Sequence, residues 1–147
     1  MLKLTKKADY GLIALRHLAL NGPSAAASAK EIASAYGMPL PLLAKILQRL
    51  AKTGLLESLP GTNGGYRLAR HPASISTLEV IRAIDGPVLL TSCFSTHGSC
   101  GQSPHCTVRE PLRKVHEGIV SLLGAVTIME LSEEPRRAAG SEVLSIL

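Results

Sequence analysis

The start of the chain has two stretches of helical hydrophobic spacing, separated by a short break. Apolar residues recur at intervals of three and four over residues 8–19, and the Asn21-Gly22-Pro23 segment ends this first predicted helix. Ser28 and Glu31 have the spacing of a capping box, in which each side chain accepts a hydrogen bond from a backbone amide at the helix start. We therefore predict a short second helix that ends at Gly37.

A third helix is predicted over residues 42–52, and its two faces differ in character. Pro41 fits its first turn, where the missing proline amide would have no partner in any case. The apolar stripe is Leu43, Ile46, Leu47 and Leu50, and the polar stripe is Lys45, Gln48, Arg49 and Lys52. One stripe should pack inward while the other faces out. Two helices joined by a short turn, the second with a cationic outer face, are typical of a helix-turn-helix that reads the DNA major groove.

A glycine-rich hairpin is predicted directly after that helix, with strands over residues 55–59 and 66–70. A hairpin at this place is the wing of a winged helix. Its tip is not a Walker A phosphate loop, because no Gly-Lys-Ser/Thr sequence opens a helix here. The glycines permit close approach of the backbone to a ligand, so the wing is predicted to contact DNA. The predicted wing contacts are Thr62, Asn63, Gly64, Gly65 and Tyr66.

The second half of the chain predicts two further helices. Ser76 and Glu79 form a second capping box, and the Asp85-Gly86-Pro87 segment ends the helix that they begin. Later, apolar residues step alternately by four and three for three heptads, which predicts one continuous helix with a coiled-coil seam. The seam is Val108, Leu112, Val115, Ile119, Leu122, Val126 and Met129. A second copy of the chain is the simplest partner for so narrow a seam, and packing on the chain's own domain is the alternative.

All three cysteines lie in the stretch between these two helices. Cys93, Cys100 and Cys106 are separated by six and then five residues, with glycine, proline, serine and threonine between them, so the stretch is predicted to be a loop. An odd number argues against a closed set of internal disulfides. Paired Cys-x-x-Cys knuckles, the strongest zinc signature, are absent. Three thiolates with a fourth ligand from elsewhere suit an iron–sulfur cluster at least as well as zinc; three unrelated reduced cysteines are the remaining alternative.

The distribution of charged residues differs between the N-terminal and C-terminal halves of the chain. Hydrophobic residues make up 46% of the 147 residues and aromatic residues only 3%, so the core must consist of Leu, Ile, Val and Ala. Residues 1–70 carry ten Lys and Arg against three acids, or +7, whereas residues 71–147 carry six against eight, or −2. The positive charge of the first half favours an N-terminal domain that binds a polyanion, called the head below. An exposed basic surface with no binding role would have the same composition. The N-terminal segment resembles neither a signal peptide nor a membrane span, so a cytoplasmic protein is expected.

These elements predict a mainly α fold with a small β wing, namely a winged helix-turn-helix followed by a long dimerisation helix. The expected divisions are a DNA-binding domain over residues 1–86, a cysteine-rich loop over 87–107, the dimerisation helix over 108–132 and a tail over 133–147. The sequence contains no Cys-x-x-Cys redox motif, and no order of serine, histidine and aspartate along the chain supports a catalytic triad. An enzyme is therefore not expected.

Several short motifs together make the chain similar to the Rrf2 family of bacterial winged-helix regulators, over roughly residues 1–132. They are Leu4-Thr5-Lys6 with Asp9-Tyr10, Gly64-Gly65-Tyr66, Glu79-Val80-Ile81 with Ala83-Ile84-Asp85, and the three-cysteine loop. The resemblance implies a homodimer joined through the long helix, with the cluster loop beside the DNA-binding head. It also implies that Cys93, Cys100 and Cys106 hold the cluster, with 4Fe–4S favoured and 2Fe–2S possible.

The fourth cluster ligand differs between branches of the family. In the IscR-like pattern a histidine follows the last cysteine by three residues, but Arg109 stands there and has no free lone pair. The NsrR-like pattern uses an N-terminal aspartate of the partner subunit, and Asp9 occupies that position. His97 and His105 are local rivals for the same role.

The resemblance implies a function as an iron–sulfur-dependent regulator of transcription, a repressor that controls cluster-assembly genes. A nitric-oxide or redox sensor of the NsrR type is one alternative, and a zinc-bound or metal-free regulator with another effector is a second. Pro60 replaces an arginine of the IscR-like wing, while Pro39 and Pro41 replace serines at the start of the recognition helix. The DNA sequence read by this chain is therefore expected to differ from that read by IscR-like proteins.

Overall fold

The structure is a computed structural model that describes residues 4–62, 64–88 and 108–133. Six α-helices and one two-stranded antiparallel sheet lie in these ranges, which confirms the predicted fold class. In chain order they are α1 (Lys6–Leu20), α2 (Ala29–Tyr36), α3 (Leu40–Lys52), β1 (Leu56–Leu59), β2 (Gly65–Leu68), α4 (Thr77–Asp85), α5 (Arg109–Ala125) and α6 (Ile128–Ser132). None of the helices in these ranges is long and apolar enough to cross a membrane.

Both predicted capping boxes are present, and they set the starts of α2 and α4. Ser28 accepts from the amide of Glu31 at 3.1 Å while the Glu31 carboxylate accepts from the Ser28 amide, and Ser76 and Glu79 repeat this arrangement. Gly37 ends α2 in the left-handed conformation, at a φ of 64°. The helix-turn-helix of α2 and α3 is therefore built as the sequence indicates, with α3 beginning two residues earlier than predicted.

One hydrophobic core lies between α1, α2, α3, α4 and the base of the hairpin. Its fully buried large side chains are Leu15, Leu18, Ile32, Leu43, Leu47, Leu50, Ile75, Val80 and Ile128. Gly11 allows α1 to approach α3 and α4 closely, because a Cβ there would collide with the side chain of Ile84. The apolar face of α3 is held in this core, so its opposite face points to solvent.

The hairpin is tied to the start of α2 as well as to its own partner strand. Strands β1 and β2 pair in register from Leu56 with Leu68 to Leu59 with Gly65. Tyr66 also exchanges both backbone hydrogen bonds with Ala27, at 2.8 and 3.0 Å. This bridge fixes the wing against the helix-turn-helix.

The predicted continuous helix along the heptad seam is wrong at its C-terminal end. Helix α5 ends at Ala125, and a separate helix, α6, begins at Ile128. The amide and hydroxyl of Thr77 both donate to the Val126 carbonyl, at 2.8 and 3.0 Å, and the Ile128 amide donates to Ile75. The helix thus ends where these hydrogen bonds join the chain to the start of α4 and where Ile128 is fully buried in the core of the head.

Candidate nucleic-acid interface and metal-binding residues

The outer face of α3 is a continuous polar and cationic surface. Lys45, Gln48, Arg49 and Lys52 are all exposed, and together with Thr53 they line one shallow depression. Helix α3 contains no acidic residue along its length. The three cations form no ion pair within the described residues. Their charge is therefore available to an anionic partner, as a phosphate-binding helix requires.

Two other arginines of the head differ, because each forms an ion pair with an acid. The Arg67 side chain binds Glu57 directly across the hairpin at 2.7 Å, and Arg70 binds Glu79 at 3.0 Å. Partial burial by itself raises the pKa of Glu79. The hydrogen bonds from Arg70 and from the Ser76 amide, with the positive charge of Arg70, outweigh that effect and lower the pKa below its ordinary value. Acids thus compensate the charges of Arg67 and Arg70, whereas Lys45, Arg49 and Lys52 on α3 have no acidic partner within the described residues.

The wing residues predicted to contact DNA occupy different environments. Thr62 is exposed at the tip, and Asn63 lies outside the described residues. Tyr66 is half-buried and packs against the core. Gly64 and Gly65 both pack against backbone, and a Cβ on Gly65 would lie 2.5 Å from the Ala27 carbonyl oxygen. The structure thus shows a packing role for these two glycines, and their contact with DNA stays a prediction.

Asp9 is exposed one turn into α1, where it shares a shallow concave surface with Leu4, Thr5 and Lys6. Its carboxylate has no partner among the described residues, and the cap of α1 is made instead by Thr5, which accepts from the Ala8 amide. The Thr5 hydroxyl also donates to the Asp85 carboxylate at 2.5 Å. Asp85 ends α4, so Asp9 lies at the end of the head from which the chain continues towards the cysteines.

The predicted thiolate ligands Cys93, Cys100 and Cys106 lie outside the described residues, as do His97 and His105. Within the described ranges, no group of three or more His, Cys, Asp or Glu side chains is placed to hold a metal ion. The chemistry of the four predicted donors fits iron. Three thiolates and one free carboxylate supply four anionic ligands of the types that iron–sulfur and iron sites use.

Helix α5 carries an exposed apolar stripe with a seven-residue repeat. Val108, Val115 and Leu122 are 53%, 49% and 66% exposed. Leu112 and Ile119, between them, are half-buried. A helix face that stays in contact with water rarely carries three large apolar side chains in one row. The stripe is therefore a candidate contact surface.

A helix-turn-helix with a cationic second helix, backed by a two-stranded wing, defines the winged-helix class of DNA-binding proteins. A protein-family model for Rrf2, described as an iron-dependent transcriptional regulator, matches residues 4–134, which is nearly the whole chain. The chain belongs to the Rrf2 family, whose regulators bind DNA.

Individual relatives agree with this assignment. The chain is 34% identical over 134 residues to the HTH-type transcriptional regulator NsrR of Geobacillus kaustophilus, covering 90% of this chain and 91% of that protein. It is 33% identical over 130 residues to IscR of Xenorhabdus nematophila, covering 88% and 79%. These relatives are transcription regulators, which confirms that the chain is not an enzyme.

Solved structures show the same fold. CymR, the global cysteine regulator of B. subtilis, superposes with a TM-score of 0.74 at 26% identity, over 90% of this chain and 97% of CymR. IscR of T. potens superposes with a TM-score of 0.71 at 30% identity, over 95% and 94%.

Proposed function

We propose that this chain is a homodimeric, iron–sulfur-dependent repressor of transcription that inserts α3 into the major groove of its operator. The observation that carries the DNA-binding part is the uncompensated charge of Lys45, Arg49 and Lys52 on a helix whose opposite face is locked in the core. The rigid inner face fixes the orientation of the outer one, so the side chains that meet DNA are presented without reordering the helix.

The cluster would be held by Cys93, Cys100 and Cys106 with Asp9 of the partner subunit, in the NsrR-like manner. When bound, it supplies a centre that reacts with oxygen or nitric oxide. A carboxylate is a harder and weaker ligand for iron than a thiolate, so the Asp9 position is the most easily released.

The structure provides a physical link from Asp9 to the DNA-binding surface. Thr5 holds the start of α1 through the Ala8 amide and holds the end of α4 through Asp85. Gly11, within α1, is in close contact with Ile84 of α4 and near Ile46 of α3. These contacts support the proposal that a displacement of the α1 start on release of Asp9 would also move α3. In a dimer, a movement of α3 would change the distance between the two recognition helices. That distance must match DNA half-sites about 34–36 Å apart.

The exposed stripe of α5 is proposed to form the dimer seam. Val108, Val115 and Leu122 would pack against the same residues of a second copy, since a two-fold interface uses one patch twice. The buried attachment of α6 to the head then connects each seam to its own DNA-binding domain.

Two measurements test the proposal. Protein purified without oxygen should show visible absorbance and contain iron and acid-labile sulfide, and exposure to nitric oxide should change its operator affinity. Arg49→Ala should weaken operator binding and lower the slope of log affinity against log salt by about one, as loss of one phosphate contact does. Arg113→Ala on α5 is the matched control, because it removes an arginine that is paired with Glu110. Unchanged affinity of Arg49→Ala at matched salt would exclude α3 as the reading helix.

A second candidate is a winged-helix regulator that holds zinc or no metal and responds to another effector. The superposition on CymR favours it, because a protein described as a cysteine regulator shares the fold over 90% of this chain. Colourless protein that binds its operator with equal affinity before and after exposure to nitric oxide would support this second candidate.

A further inference from the structure

The N-terminal end of α3 presents an apolar tip made of Pro39, Leu40 and Pro41. All three residues are exposed, and Leu40 is 41% exposed. Pro39 is the N-cap residue, and no side chain accepts a hydrogen bond from the first amides of the helix. The start of a helix explains Pro41, whose missing amide costs nothing there, but it does not explain the exposed side chain of Leu40.

The tip also departs from the way the other described helices begin. Each of those five helices has an acidic residue in its first turn, and α3 has none. The acids are Asp9 in α1, Glu31 in α2, Glu79 in α4, Glu110 in α5 and Glu130 in α6. An acid or a polar cap would stabilise the start of α3 through its free amides and the helix dipole. Because α3 has no acid in its first turn, its start carries no negative side-chain charge.

The position of the tip on the helix relates it to the cationic face of α3. Pro41, Lys45, Gln48 and Lys52 follow one another by four, three and four residues, so Pro41 continues the outward polar stripe. Leu40 lies beside it, three residues before the buried Leu43, at the edge of the apolar stripe where its side chain is still exposed. In a helix-turn-helix, the N-terminal residues of the second helix contact base edges. A carboxylate there would repel phosphates. The apolar group that bases expose in the major groove is the 5-methyl group of thymine.

We propose that Leu40 and Pro41 read thymine 5-methyl groups in the major groove, so that each operator half-site carries an A·T pair beneath the apolar tip. The inference rests on the proposed DNA-binding function and adds the base that this part of α3 selects. The tip supplies specificity through shape and apolar contact, while Lys45, Arg49 and Lys52 supply affinity for phosphate.

Uracil substitution tests this directly, because uracil lacks only the methyl group of thymine. A binding site is first selected from a random pool of duplex DNA with the anaerobically purified full chain, and each thymine is then replaced singly. We expect affinity to fall about threefold to fourfold at one or two positions per half-site, which is the effect of one buried methyl group. Leu40→Ala should abolish the difference between thymine and uracil at such a position, and Pro41→Ser should reduce it at the same or the neighbouring position.

Leu20→Ala is the matched control, since Leu20 is an exposed leucine at the end of α1 and outside the helix-turn-helix. It should retain full discrimination. Binding that is weakened by Arg49→Ala but shows no preference for thymine at any position would overturn the inference and leave the proposed function intact. If no duplex is enriched from the random pool, both the proposed DNA-binding function and the inference about thymine would be overturned. Loss of the dimer in Leu40→Ala, with unchanged discrimination, would identify the tip as a protein interface and also overturn the inference.

Discussion

Replacement of Gly65 by alanine should detach the wing from the start of α2. Gly65 has a φ of 149°, and an added Cβ would lie 2.5 Å from the Ala27 carbonyl oxygen and 2.6 Å from its carbon. The chain can respond in two ways. It can keep the strained backbone, at a cost of about 1–3 kcal/mol. It can instead open the bridge between Ala27 and Tyr66 and lose two hydrogen bonds, each worth about 0.5–1.5 kcal/mol net.

Either response lowers the free energy of unfolding by roughly 2 kcal/mol, which corresponds to a fall in Tm of about 4–8 °C for a chain of this size. Urea unfolding followed by circular dichroism measures the change, with the slope unaltered if only stability has changed. Gly118→Ala is the matched control. A Cβ on Gly118 meets no atom within 4 Å, so alanine there should be neutral or stabilising by up to about 1 kcal/mol.

Operator binding separates the two roles considered for Gly65. A packing glycine predicts that Gly65→Ala loses stability and DNA affinity together, because the displaced wing no longer faces the duplex. A glycine needed only for close approach to DNA predicts lost affinity with unchanged stability. The second result would refute the assignment of Gly65 to the bridge with Ala27.

Four further predictions concern the proposed cluster, the proposed dimer seam, the anchoring of α6 and the ion pair of Glu79. Asp9→Ala should still assemble a cluster without oxygen, with altered absorbance and faster loss in air, whereas loss of any cysteine should be more severe. Ile119→Asp should dissociate the proposed dimer in sedimentation experiments, because it places an unpaired charge in the apolar stripe of α5. Ile128→Ala should lower the unfolding free energy by about 2–5 kcal/mol in urea, since Ile128 is fully buried. Glu79→Gln should be less stable than the parent at neutral pH by a few tenths of a kcal/mol, because the ion pair with Arg70 is exposed. The lowered pKa of Glu79 makes this difference disappear as the pH falls below 4.5.

Each of these predictions has an outcome that contradicts it. Identical spectra and decay in Asp9→Ala and the parent would exclude Asp9 as a ligand and turn attention to His97 or His105, with Glu130→Ala as a control for loss of an exposed first-turn acid. An intact dimer in Ile119→Asp would place the interface elsewhere. A loss below 1 kcal/mol in Ile128→Ala would mean that α6 is not anchored in the core. If the difference in unfolding free energy between Glu79→Gln and the parent does not change with pH, the charge of Glu79 does not contribute to stability.

The starts of α2 and α4 were predictable from sequence because they depend on residues three positions apart. The hydrogen bonds of Ser28 with Glu31 and of Ser76 with Glu79 form wherever the chain turns into a helix, whatever lies around them. The two stripes of α3 were predictable for a similar reason. A helix with one apolar and one cationic face has only one orientation against a core.

The end of α5 was not predicted, although a local signal for it exists. Thr127 and Glu130 repeat the spacing of the capping boxes, and the Thr127 hydroxyl accepts from the Glu130 amide at 3.2 Å. The heptad pattern continues through this site, so two local signals compete over the same residues. The contact that decides between them joins Thr77 to Val126, 49 positions apart in the chain.

The helix-turn-helix, the hairpin and the family could be predicted from sequence alone, because each depends on short-range spacing and on motifs that can be read along the chain. The pairing of individual cations with acids and the packing role of individual glycines became visible only in the folded chain. Arg67 and Arg70 resemble Arg49 in sequence, but the fold places Glu57 and Glu79 beside them and leaves Arg49 without an acid. The positions of opposite charges and of neighbouring backbone depend on how distant segments meet, and a linear pattern does not contain that information.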